Sequence, residues 1–168
     1  MRIELEDWLL EVDTAKTAAY SMEEYAGRCT CGYCRNYYAA VDPAYPHIRG
    51  FMEQFGIHIE APDELMPYEV NGDMWCDGLF AVSGRILRKG RGSIHLDQLR
   101  ISFEELSEVS VNHGFQGECF VICVSGMILP WVLDEPMEEI NSPVKSRSLF
   151  DRFFSGFEFP DTDAQIIS

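Results

Sequence analysis

The chain predicts an α+β domain in which N-terminal helices pack on an antiparallel β-sheet of about five or six strands, with an aromatic C-terminal segment. Three observations predict this class. Apolar residues recur at helical spacing up to residue 55, alternate with period two from residue 66, and form strand candidates separated by short turns. Strands joined by short turns pair antiparallel, because parallel pairing needs a long crossover.

Three helices are predicted before the first long strand. Asp13 is a favourable N-cap residue for the first helix, and Gly27 is a natural stop after it. Asp42-Pro43 interrupts the second helix, because proline has no backbone N–H to donate. The predicted helices run from Thr14 to about Tyr25, from Cys31 to Val41 and from Tyr45 to Phe55.

Apolar residues in strand-like patterns account for the sheet. Asn71-Gly72-Asp73 is typical of a hairpin turn. The two most apolar strands come last, and their alternation places Cys119, Val121 and Cys123 on one face and Phe120, Ile122 and Val124 on the other. Both faces are apolar, which predicts central strands with inert, packed cysteines. The predicted strands are Trp8–Val12, Met66–Asn71, Leu79–Leu87, Leu99–Phe103, Val109–Asn112, Glu118–Ser125 and Met127–Leu133.

The charge of the chain limits its partners. Thirteen basic and 28 acidic residues give the 168-residue chain a formal charge of −15. Such a surface repels nucleic-acid phosphates and anionic lipid, which attract basic proteins instead. The sequence therefore predicts no nucleic-acid partner and no membrane partner. It favours an unknown protein partner or self-association.

The pattern of apolar residues also predicts a compartment. The N-terminus is charged where a signal peptide needs an apolar segment, and the longest apolar run, 119–133, is too short to span a membrane. We therefore expect a cytoplasmic protein. In that compartment cysteines are normally reduced, so metal binding, redox chemistry or packing is favoured over a disulfide framework.

The composition changes near residue 134. The sequence predicts a single α+β domain over residues 1–134, followed over 135–168 by an acidic, proline-containing linker and an aromatic segment. At helical spacing this segment forms an apolar stripe, which must be buried on the domain or against a partner. The candidate partner-binding residues are Leu149, Phe153, Phe154 and Phe157.

Three cysteines within six residues form the densest group of reactive side chains, Cys29, Cys31 and Cys34, here called the cysteine cluster. Three sulfurs at this spacing can line one side of a tetrahedral zinc site, which needs a fourth ligand. Candidates for that ligand are His47, Cys76 and His113. The cysteine cluster is therefore a candidate metal site with zinc as a possible cofactor.

Two other hypotheses explain the cysteine cluster. Cys31-Gly32-Tyr33-Cys34 has the C-G-x-C form of thiol redox motifs, and a helix N-terminus at Cys31 would lower its pKa. The polar, helix-terminating residues before it are unlike the buried strand that precedes a thioredoxin-type motif. Packing is the third hypothesis, because free cysteine is among the most frequently buried residue types.

A basic loop follows one of the predicted strands. Glycines within it allow its backbone amides to wrap an anion. The alternative is a solvated hairpin tip whose positive charges discourage edge-to-edge pairing. The residues of this possible anion loop are Arg85, Arg88, Lys89 and Arg91.

The segment 29–36, together with Tyr45-Pro46, Phe55-Gly56-Ile57 and Pro130-Trp131-Val132-Leu133, resembles a family of small bacterial proteins with a CxCxxCRN-type motif. The resemblance covers roughly residues 8–134. It implies a shared domain, and no catalytic residue follows from it, because no activity is established for that family.

The sequence favours a non-enzymatic cytoplasmic binding or interaction protein, and catalytic arrangements of residues are sparse. One alternative is a zinc- or thiol-dependent sensor or enzyme centred on the cysteine cluster. A weaker alternative is an acidic inhibitor that mimics nucleic acid and blocks a DNA-binding protein.

Overall fold

The protein is described by a computed structural model over residues 1–137. These residues form three helices packed on an antiparallel sheet of seven strands, which confirms the predicted α+β class. The aromatic segment with Leu149, Phe153, Phe154 and Phe157 lies outside the described residues, so its docking stays a prediction. The elements are β1 (Arg2–Leu5), β2 (Trp8–Val12), α1 (Thr14–Ala26), α2 (Gly32–Ala44), α3 (Ile48–Glu53), β3 (Glu64–Val70), β4 (Asp73–Arg88), β5 (Ile94–Leu96), β6 (Leu99–Glu105) and β7 (Cys119–Leu129).

Strand β4 pairs with three other strands of the sheet. Along one edge it pairs first with β3 and then, from Gly84 onward, with β2. Its other edge pairs with β7, so that the strand order is β1-β2-β4-β7-β6-β5 with β3 beside β4. Gly84 (φ 148°) lies where β2 begins to pair, and a Cβ there would overlap the carbonyl oxygen of Glu11. The close approach of the two backbones therefore requires glycine at this position.

The sheet has seven strands, whereas about five or six were predicted, and these are not the seven candidate segments. The short strands β1 and β5 were not predicted, because four or three residues carry little periodic signal. The segments Glu118–Ser125 and Met127–Leu133 are one strand, β7, that ends at Leu129. Gly126 (φ 84°) lies opposite a register shift in β4, so the chain bulges there without leaving the sheet.

The predicted strand Val109–Asn112 is wrong. This segment belongs to the connection between β6 and β7, and it covers the face of the sheet opposite the helices. Val109 is buried there against Leu79, Val121 and Cys123, while the neighbouring β7 residues of the other face pack toward the helices. The predicted two-faced alternation of β7 is confirmed, and its apolar pattern follows from burial on both sides.

Helix α1 has nearly the predicted bounds, whereas α2 ends later and α3 begins later than predicted. Asp13 caps α1, because its carboxylate accepts a hydrogen bond from the Lys16 backbone N–H at 3.0 Å. Helix α2 continues through Pro43 to Ala44, which corrects the predicted interruption. Proline in the final turn removes a single helical donor, and the Tyr45 N–H still donates to Val41 at 2.9 Å.

Helix α3 is shorter than predicted, but its residues Ile48, Phe51 and Met52 are buried against the sheet as the helical spacing indicates. Nearby, the Tyr45 hydroxyl accepts from the Ile128 N–H at 2.8 Å and donates to its carbonyl at 3.3 Å. This side chain fastens the helical layer to the end of β7. Within residues 1–137, every helix is too short or too polar to cross a membrane.

Candidate metal centre

The cysteine cluster lies at the junction between α1 and α2. Cys31 is the N-cap residue of α2, in an extended conformation (φ −65°, ψ 161°), and Cys34 is the third residue of the helix. N-cap and third-residue side chains face each other, as they do in a capping box. Cys29 lies in the preceding loop, and all three sulfur atoms lie within 4.8 Å of one another.

Burial separates the three cysteines. Cys29 and Cys31 are exposed, and Cys34 is half-buried at the side of the helix. All three are reduced thiols, and none belongs to the apolar core described for residues 1–137. Packing therefore does not explain why Cys29 and Cys31 are held close together, although it contributes at Cys34.

Hydrogen bonding and burial shift the pKa values of Cys29 and Cys34 in opposite directions. The Cys31 backbone N–H donates to the Cys29 sulfur at 3.4 Å, and this is the main reason why the pKa of Cys29 is lowered. The pKa of Cys34 is raised to about 12, first by burial and then by its hydrogen bonds with the other two sulfurs. A peptide N–H directed at sulfur favours the thiolate, which is the form that binds metals.

Aromatic rings and a guanidinium group lie beside the half-buried thiol of Cys34. The guanidinium carbon of Arg28 lies 4.0 Å from the ring centroid of Tyr25 and 5.1 Å from that of Tyr38. Burial, followed by the neighbouring Cys34 sulfur, raises the pKa of the Tyr38 hydroxyl. Tyr38 therefore stays protonated near neutrality and can donate to a sulfur.

Residues 130–135, here called the strap, pack against the first turns of α2. The buried side chain of Asn36 donates to the Pro130 carbonyl at 3.1 Å and accepts from the Val132 N–H at 2.7 Å. Arg35 forms an ion pair with Glu135. The Trp131 indole N–H donates to the Glu135 carbonyl at 2.6 Å. The strap is thus connected to two consecutive residues that follow Cys34.

Gly32 lies directly beneath the strap, where a Cβ would be in van der Waals contact with it. A Cβ at this position would lie 3.4 Å from a Glu135 carboxylate oxygen and 3.5 Å from the Trp131 ring. The Trp131 ring also packs edge-on against Tyr33, with 5.6 Å between the ring centroids. Gly32 and Tyr33, the two residues between Cys31 and Cys34, therefore both lie against the strap. Sequence reasoning did not assign this role to Trp131 or Glu135.

The predicted fourth ligands lie elsewhere. His47 faces Asp97, with 2.6 Å between the ring Nδ1 and a carboxylate oxygen. Cys76 is completely buried in the core, where burial, followed by the charges of Asp77 and Cys34, raises its pKa. His113 lies 3.6 Å from the Cys119 sulfur, a contact that the sequence did not suggest. Within the described chain, none of the three joins the cysteine cluster to make a group of four ligands.

The other cysteines of β7 are poor nucleophiles. Cys123 is buried, as predicted, and burial raises its pKa to about 12. Cys119 is half-buried, and its pKa is raised by burial and by the nearby charge of Asp63. These thiols are therefore suited as controls for the cysteine cluster, because their surroundings do not favour the thiolate.

Each cation of the possible anion loop has a carboxylate partner in the chain. The Arg91 backbone N–H also donates to Asp7 at 3.0 Å, which is the main reason why the pKa of Asp7 is lowered. These contacts fasten the loop to β1 and its neighbours. Anion binding there stays a prediction. The pairs are Arg85 with Glu11, Arg88 with Glu4, Lys89 with Glu108, and Arg91 with Asp7.

Comparisons with protein-family models, with curated proteins and with solved structures found no match for the chain. The resemblance to proteins with a CxCxxCRN-type motif therefore stays a prediction. Three close cysteines that can hold a metal ion are the chemical feature from which a function can be argued.

Proposed function

We propose that the protein binds one zinc ion through Cys29, Cys31 and Cys34, and that it acts as a metal-binding interaction protein. The observation that carries this proposal is the mutual distance of the three sulfurs, at most 4.8 Å. A tetrahedral ion with zinc–sulfur bonds of about 2.3 Å holds its sulfurs roughly 3.8 Å apart. Small side-chain rotations of two exposed residues are enough to close that difference.

Zinc is favoured by the donor set. Three thiolates are soft ligands, which select zinc or copper(I) over magnesium or calcium. The thiols must be reduced and deprotonated to bind, so the proposal is consistent with a cytoplasmic protein. We assign a binding role rather than a catalytic one because catalytic arrangements of residues are sparse in the sequence and two of the three thiols are exposed at the surface.

Competitive zinc titration tests the proposal. Fully reduced protein is titrated with zinc against a chromophoric chelator, and we expect one equivalent to be bound. A variant with all three cysteines of the cluster replaced by serine should bind none. Cys119→Ser is the matched control, since it removes a half-buried thiol outside the cluster. Equal zinc binding by the wild type and the triple variant would refute the proposal.

Thiol redox chemistry is the second candidate function. It is favoured by the position of Cys31 at the N-cap of α2, within disulfide-forming reach of Cys34. Mass spectrometry after mild oxidation distinguishes the two functions. A reversible Cys31–Cys34 disulfide in a protein that binds no zinc would support redox chemistry and exclude the metal site.

A further inference from the structure

The cysteine cluster supplies three ligands, and zinc in closed sites takes four. The three sulfurs form a group without a fourth His, Cys, Asp or Glu within residues 1–137. Since Cys29 and Cys31 are exposed, an ion bound by them is reached from solvent. The fourth coordination position of such an ion is therefore accessible to a ligand from solvent.

No histidine and no further cysteine of the chain joins the cysteine cluster. All six cysteines and all four histidines lie within the described residues. Of the remaining histidines, His58 packs its ring against Tyr25 at 5.4 Å between centroids, and the exposed His95 lies opposite Arg100 where β5 pairs with β6. Carboxylates are the remaining class of internal ligand, and Glu135, which lies beside the motif, is paired with Arg35.

We infer that the fourth position is filled from outside the chain by the neutral nitrogen of an imidazole. This inference rests on the proposed zinc site. Zinc bound by three thiolates already carries one net negative charge, and the chain carries −15. A fourth thiolate would add another negative charge, whereas imidazole adds none and completes the Cys₃His set found in structural zinc sites.

The consequence is a zinc-dependent contact between this protein and a histidine-bearing molecule. The chemistry is the same whether the imidazole belongs to a free molecule or to another polypeptide chain, such as a second copy of this one. The metal would then act as the link, and removal of zinc would release the partner.

Cobalt(II) substitution tests the inference on the full-length protein, because its visible d–d bands report ligand type and number. We expect cobalt to bind to the wild type and imidazole to shift these bands saturably. Cys31→Ser, which changes an exposed side chain, should lose the tetrahedral bands. Sedimentation of the zinc-loaded protein separates the sources: a zinc-dependent dimer that imidazole dissociates identifies a second copy, and a monomer that binds imidazole identifies a free or foreign donor.

The results that would contradict the inference can be distinguished from those that would contradict the zinc site itself. Bands that imidazole leaves unchanged in the wild type would overturn the inference while the zinc site stands. If they become responsive in Glu135→Gln, then Glu135 is an internal fourth ligand. Bands that shift with added thiolate and not with imidazole also overturn the inference. Failure of the wild type to bind cobalt or zinc would overturn the proposed function as well.

Discussion

Asn36 connects the helix that carries the cysteine cluster to the strap, and its replacement by alanine is a sensitive test of that connection. The side chain is fully buried, makes one hydrogen bond to Pro130 and one to Val132, and donates a weaker one to the Met74 sulfur at 3.6 Å. Each hydrogen bond contributes about 1 kcal/mol net, and the lost side-chain volume adds a further ~1 kcal/mol. We expect Asn36→Ala to lower the free energy of unfolding by about 2–4 kcal/mol.

Asn36→Asp keeps the volume and reverses one polar contact. The new carboxylate oxygen would face the Pro130 carbonyl in place of an N–H donor. Burial raises the pKa of such a carboxyl, so the loss of stability should be larger near pH 7.5 than near about pH 5, where the acid is protonated and can donate. This pH dependence distinguishes a polar contact from simple packing.

Urea denaturation followed by far-UV circular dichroism measures both variants, with thermal melting as a second readout. A loss of 2–4 kcal/mol corresponds to a fall in Tm of roughly 5–15 °C for a chain of this size. Asn112→Ala, at an exposed position, is the control and should change stability by no more than about 0.5 kcal/mol. If Asn36→Ala unfolds like the control, the strap is not held by Asn36 and the reasoning fails.

Three further predictions concern the rest of the fold. Gly90→Ala should lower the free energy of unfolding by about 1–3 kcal/mol, because its Cβ would meet the Trp8 ring and the Asp7 carboxylate at 2.5 Å. Gly92→Ala is the control, since a Cβ there has open space, and equal denaturation midpoints for the two variants would contradict this prediction. Burial raises the pKa of Asp63 and Asp77, so each carboxyl contributes stability at low pH that is lost as the pH rises through its folded-state pKa. Asp63→Asn should therefore flatten the pH dependence of the free energy of unfolding of the reduced, metal-free protein, and an unchanged pH profile would contradict this. Ending the chain after Met137 should leave a folded domain with a lower Tm and more binding of apolar dyes, because each buried aromatic or leucine contributes about 1.5–3 kcal/mol before ordering costs; identical melting would place the aromatic segment off the domain.

Local signals account for what the sequence predicted well. Three features were predicted correctly: the Asp13 cap, the Asn71-Gly72 turn with two positive φ angles, and the two apolar faces of β7. Each depends on neighbouring residues or on burial, and both are visible in the order of apolar and polar side chains along the chain. The end of α2 was wrong because a proline in the last turn removes a single donor, a cost that the packing of the helix on the sheet offsets.

The candidate site was predictable only in part. Residues two and three positions apart could be expected to meet, and the cysteine cluster does. The strap could not be predicted, because Arg35 and Glu135 are separated by one hundred residues and meet only through the path of β7. The proposed fourth ligands also depend on distant contacts: His47 faces Asp97, His113 lies beside Cys119, and Cys76 is buried in the core.

X-ray absorption at the zinc edge of the loaded, full-length protein tests the central claim most directly, because it counts the ligands of the metal. A site built from the cysteine cluster predicts three sulfurs at about 2.3 Å and one nitrogen or oxygen at about 2.0 Å. The triple serine variant is the control and should retain no bound zinc to measure. A first shell with fewer than three sulfurs would contradict the assignment of Cys29, Cys31 and Cys34 as the metal site.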